Sequence, residues 1–383
     1  MVKIEGVLPN NHFISIIRSV LSHANLIKFP HHVPILDGMR GLAIILVLLA
    51  HYGLGGIIPG GFGLFTFFVL SGYLITSLLI NEADNHNGRV HINNFYIRRI
   101  LRLAPALMLH IIGYNLILIF YLEKPQPWGL IFSTIFYYHN YYLLTFADSY
   151  HDFKVLWSLA VEEHFYLLFP IIFIKLYNKN PKLLLWLCLI IITLVACWRT
   201  IALLAGIISI DHAYIASDTR IDSIMFGALI ALCLHTSVLG FNFHKFLSDN
   251  IWLTVVAALI LVLTFVVQVD LFKYSIRYSL QGVALFILFP SVVYVRKFIF
   301  INKFISLGFW RWLGKISYSL YLWHVAVITV MGHMFCEELA SCDISDQRPL
   351  LFYSLSLILA LMISTASYHL VEEKFIKLRK RYR

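Results

Sequence analysis

Leu36–Tyr52 reads LDGMRGLAIILVLLAHY, an apolar run that carries Arg40 near one end and His51 near the other. At about 100° and 1.5 Å per residue, their eleven-residue separation amounts to about three helical turns. In one straight helix the two side chains lie about 20° apart, with His51 about 16 Å deeper than Arg40. Polar groups inside a spanning helix are costly, so such a stripe points to a functional site. Each residue also has a plainer reading. Arg40 can snorkel to phosphate headgroups as an anchor, and His51 can serve packing, a backbone hydrogen bond or a pore lining.

Runs of this kind recur along the chain. Its 383 residues are 60% hydrophobic and 13% charged, with a mean hydropathy of +0.79, whereas a soluble domain carries about 25% charged residues. Apolar stretches near 20 residues read as transmembrane helices. Ten are predicted, at 37–54, 62–80, 103–122, 157–177, 182–207, 219–237, 251–268, 280–296, 314–335 and 350–371. The sequence therefore describes an all-α integral membrane protein.

The net charge of +10 is not a nucleic-acid signal, because the cations sit in short connecting loops. One set of loops holds Arg98, Arg99 and Arg102, then Lys175, Lys179 and Lys182, then Arg296, Lys297 and Lys303. The opposite loops are poorer: 55–61 has no charge, and 337–349 sets Glu337, Glu338, Asp343 and Asp346 against Arg348. Lys273 and Arg277 are the exceptions. The positive-inside rule puts both termini in the cytoplasm. Trp128–Phe146 is not counted as a span, since counting it would carry Lys175, Lys179 and Lys182 to the outside. Its Tyr137, Tyr138, Tyr141 and Tyr142 suit a helix lying in the outer interface.

Residues 1–34 show no cleavable signal pattern. Phe13, Ile16, Ile17, Val20 and Leu21 fall at helical spacing and suit an amphipathic helix on the inner leaflet, or a disordered tail. Residues 373–383 form a basic cytoplasmic tail, too short for an appended soluble domain. Cys188, Cys197 and Cys233 read as small apolar packers. Cys336 and Cys342 flank the acidic outer loop, where an oxidising compartment lets them pair. The sequence has no metal-ligand pattern, no glycine-rich phosphate loop and no internal repeat.

Four further polar clusters stand out. WSLAVEEHFYLLFP (157–170) sets Glu162 and Glu163 inside an apolar run, pointing about 100° apart. Either they face a cavity or the segment lies among headgroups, where glutamates cost little. In ASDTRIDSIMFG (216–227) Asp218 and Thr219 suit a helix cap, while Arg220 and Asp222 lie within the first turns of an apolar helix. LGKISYSLYLWHVAV (313–327) places His324 about ten residues into a span, with Ser317 and Ser319 able to bond helical carbonyls. A second intramembrane histidine favours one cavity shared with His51. In NFYIRRILRLAP (94–105) Arg98, Arg99 and Arg102 read as anchors, although guanidinium forks also bind phosphate at two points.

Taken in order, these segments resemble the membrane acyltransferase-3 family, bacterial O-acyltransferases of surface carbohydrates. LDGMRGLAIILVLLAH is similar to its opening helix, FFVLSGYLIT (67–76) to its second-helix signature, and Arg99-x-x-Arg102 to its RxxR. WSLAVEEHFYLLFP, DTRIDSIMFGAL, ISYSLYLWH and YHLVEEKF follow, so the likeness runs from Leu36 to Phe375. Phe65 stands where relatives commonly carry aspartate, and His164 where they carry glutamine. Many relatives also bear an extracytoplasmic esterase-like domain that has no counterpart here.

The resemblance implies a transmembrane acyltransferase domain over 35–372 in the inner membrane of a bacterium. It implies acetyl-CoA or another acyl-CoA bound from the cytoplasm, no metal, and a carbohydrate hydroxyl as extracytoplasmic acceptor, such as O-antigen or exopolysaccharide. Arg40, Arg99 and Arg102 are then candidates for the donor phosphates. His51 becomes a general base on the acceptor hydroxyl or a covalent acyl relay, the base being favoured. Glu162, Asp222 and His324 complete the candidate catalytic set. The rival from another class is a polytopic transporter or channel, which ten helices and intramembrane charges also suit.

Overall fold

Each of the ten apolar stretches folds into a helix. The computed structural model describes residues 33–146, 153–236, 238–335 and 349–382, which form helices and no strand. The ten long helices are α1 (Pro34–Leu49), α2 (Gly60–Asn85), α3 (Ile92–Phe120), α4 (Trp157–Tyr177) and α5 (Pro181–Leu204), followed by α6 (Ser217–His235), α7 (Ile251–Val266), α8 (Ile276–Tyr294), α9 (Gly308–Phe335) and α10 (Pro349–Ser367). Among the described residues six helices are long and apolar enough to cross a membrane, or seven if Phe243–Asp249 joins α7 across an 88° bend. The six are α1 extended to Leu54, α2, α3, α5, α8 and α10 extended to Leu378.

Of the helices outside that set, α6 shows the physical reason best. It buries every residue except Asp218 and Ile221, so its charges face protein rather than lipid. A helix buried all round sits at the centre of its bundle. Glycines let its backbone approach α2: a Cβ at Gly72 would collide with the Ile224 carbonyl, and one at Gly227 with the Val69 carbonyl. A second seam joins α1 to α9, where Gly41 meets the Trp310 carbonyl and Gly314 the Asp37 carbonyl. In lipid such close packing replaces the hydrophobic effect as the force joining helices.

Three local expectations are corrected. The straight α-helix ends at Leu49 and passes into a π-helical turn, Ala50–Leu54, broken by Gly53 at φ +85°. Residues 128–146 form two short helices rather than one, Trp128–Ile135 and His139–Thr145, hinged at Tyr137 with φ +56°. Burial pushes the His139 imidazole beside that hinge down to about 4. Asp218 does not cap α6; it accepts from Tyr141, Trp198 and His212 at 2.9–3.0 Å. Cys336, Cys342 and the expected amphipathic segment within 1–32 lie outside the described residues.

Candidate functional site

One stripe of α2 carries Leu64, Phe67, Ser71, Leu74 and Leu78 at steps of three and four residues, and all five line a cavity of about 110 Å³. Such steps share one helix face. From Leu64 to Leu78 the stripe runs about 21 Å, a large part of a hydrocarbon core about 30 Å thick. Arg40 of α1, Arg99 and Arg102 of α3, and Glu162 and Glu163 of α4 converge on it. Ser317, Tyr318 and Tyr321 of α9 and the hinge residue Tyr137 complete the wall. A second cavity, of about 430 Å³, shares Ile75, Leu78, Arg99 and Arg102 with the first and extends past Arg98, His91 and Arg379.

The cations here are held for something other than each other. Arg102 feels the like charges of Arg40, Arg99 and Arg379. Among the described residues Arg40, Arg99 and Arg102 form no ion pair, and Arg40 and Arg99 each keep a buried Nε without a partner. Arg98, in contrast, is spent on Glu82 at 2.8 Å. Arg99 is steadied by stacking, its guanidinium carbon lying 3.7 Å from the Tyr166 ring centroid. Tyr166 in turn donates to Glu162 at 2.6 Å, and Ser71 donates to the same oxygen at 3.2 Å. Three guanidiniums without an ion pair beside one cavity have the chemistry to meet an anion of phosphate geometry.

The two histidines come together beside this cavity. The rings of His51 and His324 lie 5.0 Å apart, edge to face. His324 is buried, its ring 5.6 Å from that of Tyr321, which lines the cavity. His51 itself is exposed and is not a lining residue; the helix is regular through Ala50, and the non-helical dihedrals begin only at Tyr52. His51 Nδ1 lies 2.8 Å from the Val47 carbonyl, and His324 Nδ1 lies 2.7 Å from the Tyr321 carbonyl. A carbonyl only accepts, so both Nδ1 atoms carry the proton. In the neutral ring each Nε2 is then left as a base. His324 Nε2 is buried without a partner.

Asp222 lies elsewhere. It accepts from Arg199 at 3.0 Å in an ion pair with no exposure on either side. Arg199 also donates to the Thr219 and Ser275 carbonyls and to the Ser279 hydroxyl, so this pair ties α5, α6 and α8 together. The structure thus gathers Arg40, Arg99, Arg102 and Glu162, pairs His51 with His324 alongside, and leaves Asp222 in a structural knot. Sequence reasoning gave Ser71, Tyr166, Tyr318 and Tyr321 no part in the site and set Tyr137 in the outer interface. The Glu162–Tyr166 spacing of four and the Tyr318–Tyr321 spacing of three were the available signals.

A helical bundle with an arginine-lined cavity and an adjoining pair of imidazoles has the ingredients of a group-transfer site. The sequence model of the acyltransferase-3 family, described as an acyltransferase domain, matches residues 33–369. The chain belongs to that family. A Staphylococcus aureus (strain COL) protein provisionally named an O-acetyltransferase is 30% identical over 370 residues, covering 91% of this chain and 58% of its own. The peptidoglycan O-acetyltransferase OatA of Listeria monocytogenes is 31% identical over 317 residues, covering 78% of this chain and 50% of its own. The O-acetyltransferase OatA of S. aureus (strain NCTC 8325) is 29% identical, with 90% and 57% covered. The chain thus spans between half and three fifths of the length of these relatives. No solved structure matches.

Proposed function

We propose that this protein transfers an acyl group, most simply acetyl, from cytoplasmic acyl-CoA to a hydroxyl of an extracytoplasmic carbohydrate, in the cytoplasmic membrane of a bacterium. The observation that carries this reading is the pair of cavities that share Arg99 and Arg102 in their walls. The larger, polar one suits the nucleotide part of the donor. Arg99 and Arg102 stand in the shared wall for its phosphates with Arg40 beside them in the smaller cavity, and the leucine-walled stripe of α2 receives the thioester arm. Relatives acting as O-acetyltransferases support the same reaction class, and the one named for peptidoglycan supports a cell-envelope glycan as acceptor.

In this reading the acceptor oxygen attacks the thioester carbonyl carbon. The carbon–oxygen bond forms as the carbon–sulfur bond breaks. His51 Nε2 takes the hydroxyl proton and returns it to the departing CoA thiolate. His324 packs against the base, and Tyr321 is the side chain that the thioester passes on its way to the pair. Glu162, held by Ser71 and Tyr166, orients the reacting groups from the cavity side.

The test is acetyl-labelled acetyl-CoA supplied to inverted membrane vesicles containing the protein. Label covalently joined to glycan is the expected result. Label that crosses the bilayer without joining sugar would move the protein to the transporter class instead.

A further inference from the structure

The charge pattern of the sequence leaves one anomaly: Lys273 and Arg277 lie on the side otherwise poor in cations. In the structure both line a pocket of about 260 Å³ that shares no residue with the arginine-lined cavity. We infer that this pocket binds an oxyanion, a carboxylate or a phosphate, carried by the acceptor carbohydrate. The inference rests on the acyl-transfer reading for there being such an acceptor.

Four features converge on a negative ligand. No carboxylate lines the pocket, and among the described residues neither cation has an ion-pair partner. Arg277 spends Nη2 on the Val267 carbonyl at 2.9 Å and on Gln268 at 3.2 Å, which fixes its fork in place, while its Nε is buried and unpartnered. The rim is the glycine-rich turn 55–61, where α2 begins; Gly60 and Gly61, the first residues of that 26-residue helix, are part of the lining. The positive end of a long helix therefore faces the same space. At Gly56 and Gly61 a Cβ would meet nothing within 4 Å, so ligand atoms have room against bare backbone.

The fourth feature lies behind the wall. Arg220 is fully buried, and none of its three guanidinium nitrogens has a hydrogen-bond partner. Its charge rests on aromatic faces, 3.7 Å from the Tyr278 centroid and 5.7 Å from that of Tyr214. Both tyrosines line the pocket. The acid two residues along, Asp222, is committed to Arg199. An unpaired buried charge is expensive, and an anion docked on the far side of Tyr278 offsets it. The pocket also lies on the segment that bears the proposed base, since only three residues separate His51 from Gly55. An acceptor held here by its charge is anchored away from the reacting hydroxyl, so the pocket governs acceptor affinity rather than the chemical step.

The same chemistry could come from a lipid phosphate, so the test separates the two sources. The full chain in nanodiscs of phosphatidylcholine alone is titrated with oligogalacturonate, with mannose 6-phosphate, and with their uncharged counterparts, all without acyl donor. At least one anionic sugar should bind tenfold or more tightly than its neutral counterpart. Lys273→Gln with Arg277→Gln should erase that difference at an unchanged thermal midpoint, and Lys273→Arg should keep it. Equal binding of charged and neutral sugars, or a preference that survives the double variant, overturns the proposal. So does displacement of the sugars by phosphatidylglycerol in the disc, which would assign the pocket to lipid. Binding is read without turnover, so failure here leaves the acyl-transfer assay intact, and failure of that assay leaves this one readable.

Discussion

The arginine end of the site and the histidine end are built in opposite ways. Arg40, Arg99 and Arg102 border open space, form no ion pair among the described residues and crowd one another. His51 and His324 are packed ring against ring, each with its Nδ1 proton tied to a backbone carbonyl one turn back. A guanidinium cannot release its proton at neutral pH and serves only to hold charge. A neutral imidazole of fixed tautomer serves to move a proton. In the proposed reaction that difference divides the work: one end would bind, the other react.

The sharpest way to break that division is His51→Ala. Acyl transfer should fall by about 10²–10⁴-fold, the range for losing a positioned base, with the donor Michaelis constant unchanged in labelled acetyl-CoA kinetics. A raised donor constant with turnover preserved would put His51 on the binding side. A third kind of arginine sharpens the contrast. Arg199→Met should lower unfolding stability by about 3–5 kcal/mol, because Asp222 is left buried and unpaired. Thermal unfolding of the purified variant reads this, and Arg199→Met with Asp222→Leu should recover most of it. Donor affinity of the folded fraction should not change.

Arg99→Ala with Arg102→Ala should raise the donor Michaelis constant about tenfold or more, since each charged hydrogen bond contributes about 1.5–3 kcal/mol, and leave the acceptor constant alone. An unchanged donor constant would return both residues to membrane anchoring. The smallest effect is expected for Glu162→Gln, which keeps the shape but weakens the bonds from Ser71 and Tyr166. Turnover should drop about tenfold or less, and a Ser71→Ala, Glu162→Gln cycle should show that the two losses do not add.

Much of this was legible in the sequence because membrane helices are long and hydropathy marks them directly. A helix formed at each apolar run, six or seven of them long and apolar enough to cross a membrane among the described residues, and Arg40, Arg99, Arg102 and Glu162 met at one cavity. What escaped depended on distant partners or on local winding. Asp222 looked catalytic because Arg199, 23 residues earlier, gives no sign in sequence that it will reach across. The helical run expected to reach Leu54 passes instead into a π turn whose irregular dihedrals fall at Tyr52 and Gly53, which periodicity does not announce. Residues 128–146 read as one amphipathic helix because periodicity carries no warning that Tyr137 adopts a left-handed backbone.

The glycine seam between α2 and α6 has a mechanical consequence. Where Gly72 and Gly227 press main chain to main chain, no rotamer can yield and neither rod can slide, so the bank bearing Ser71 behaves as a stator.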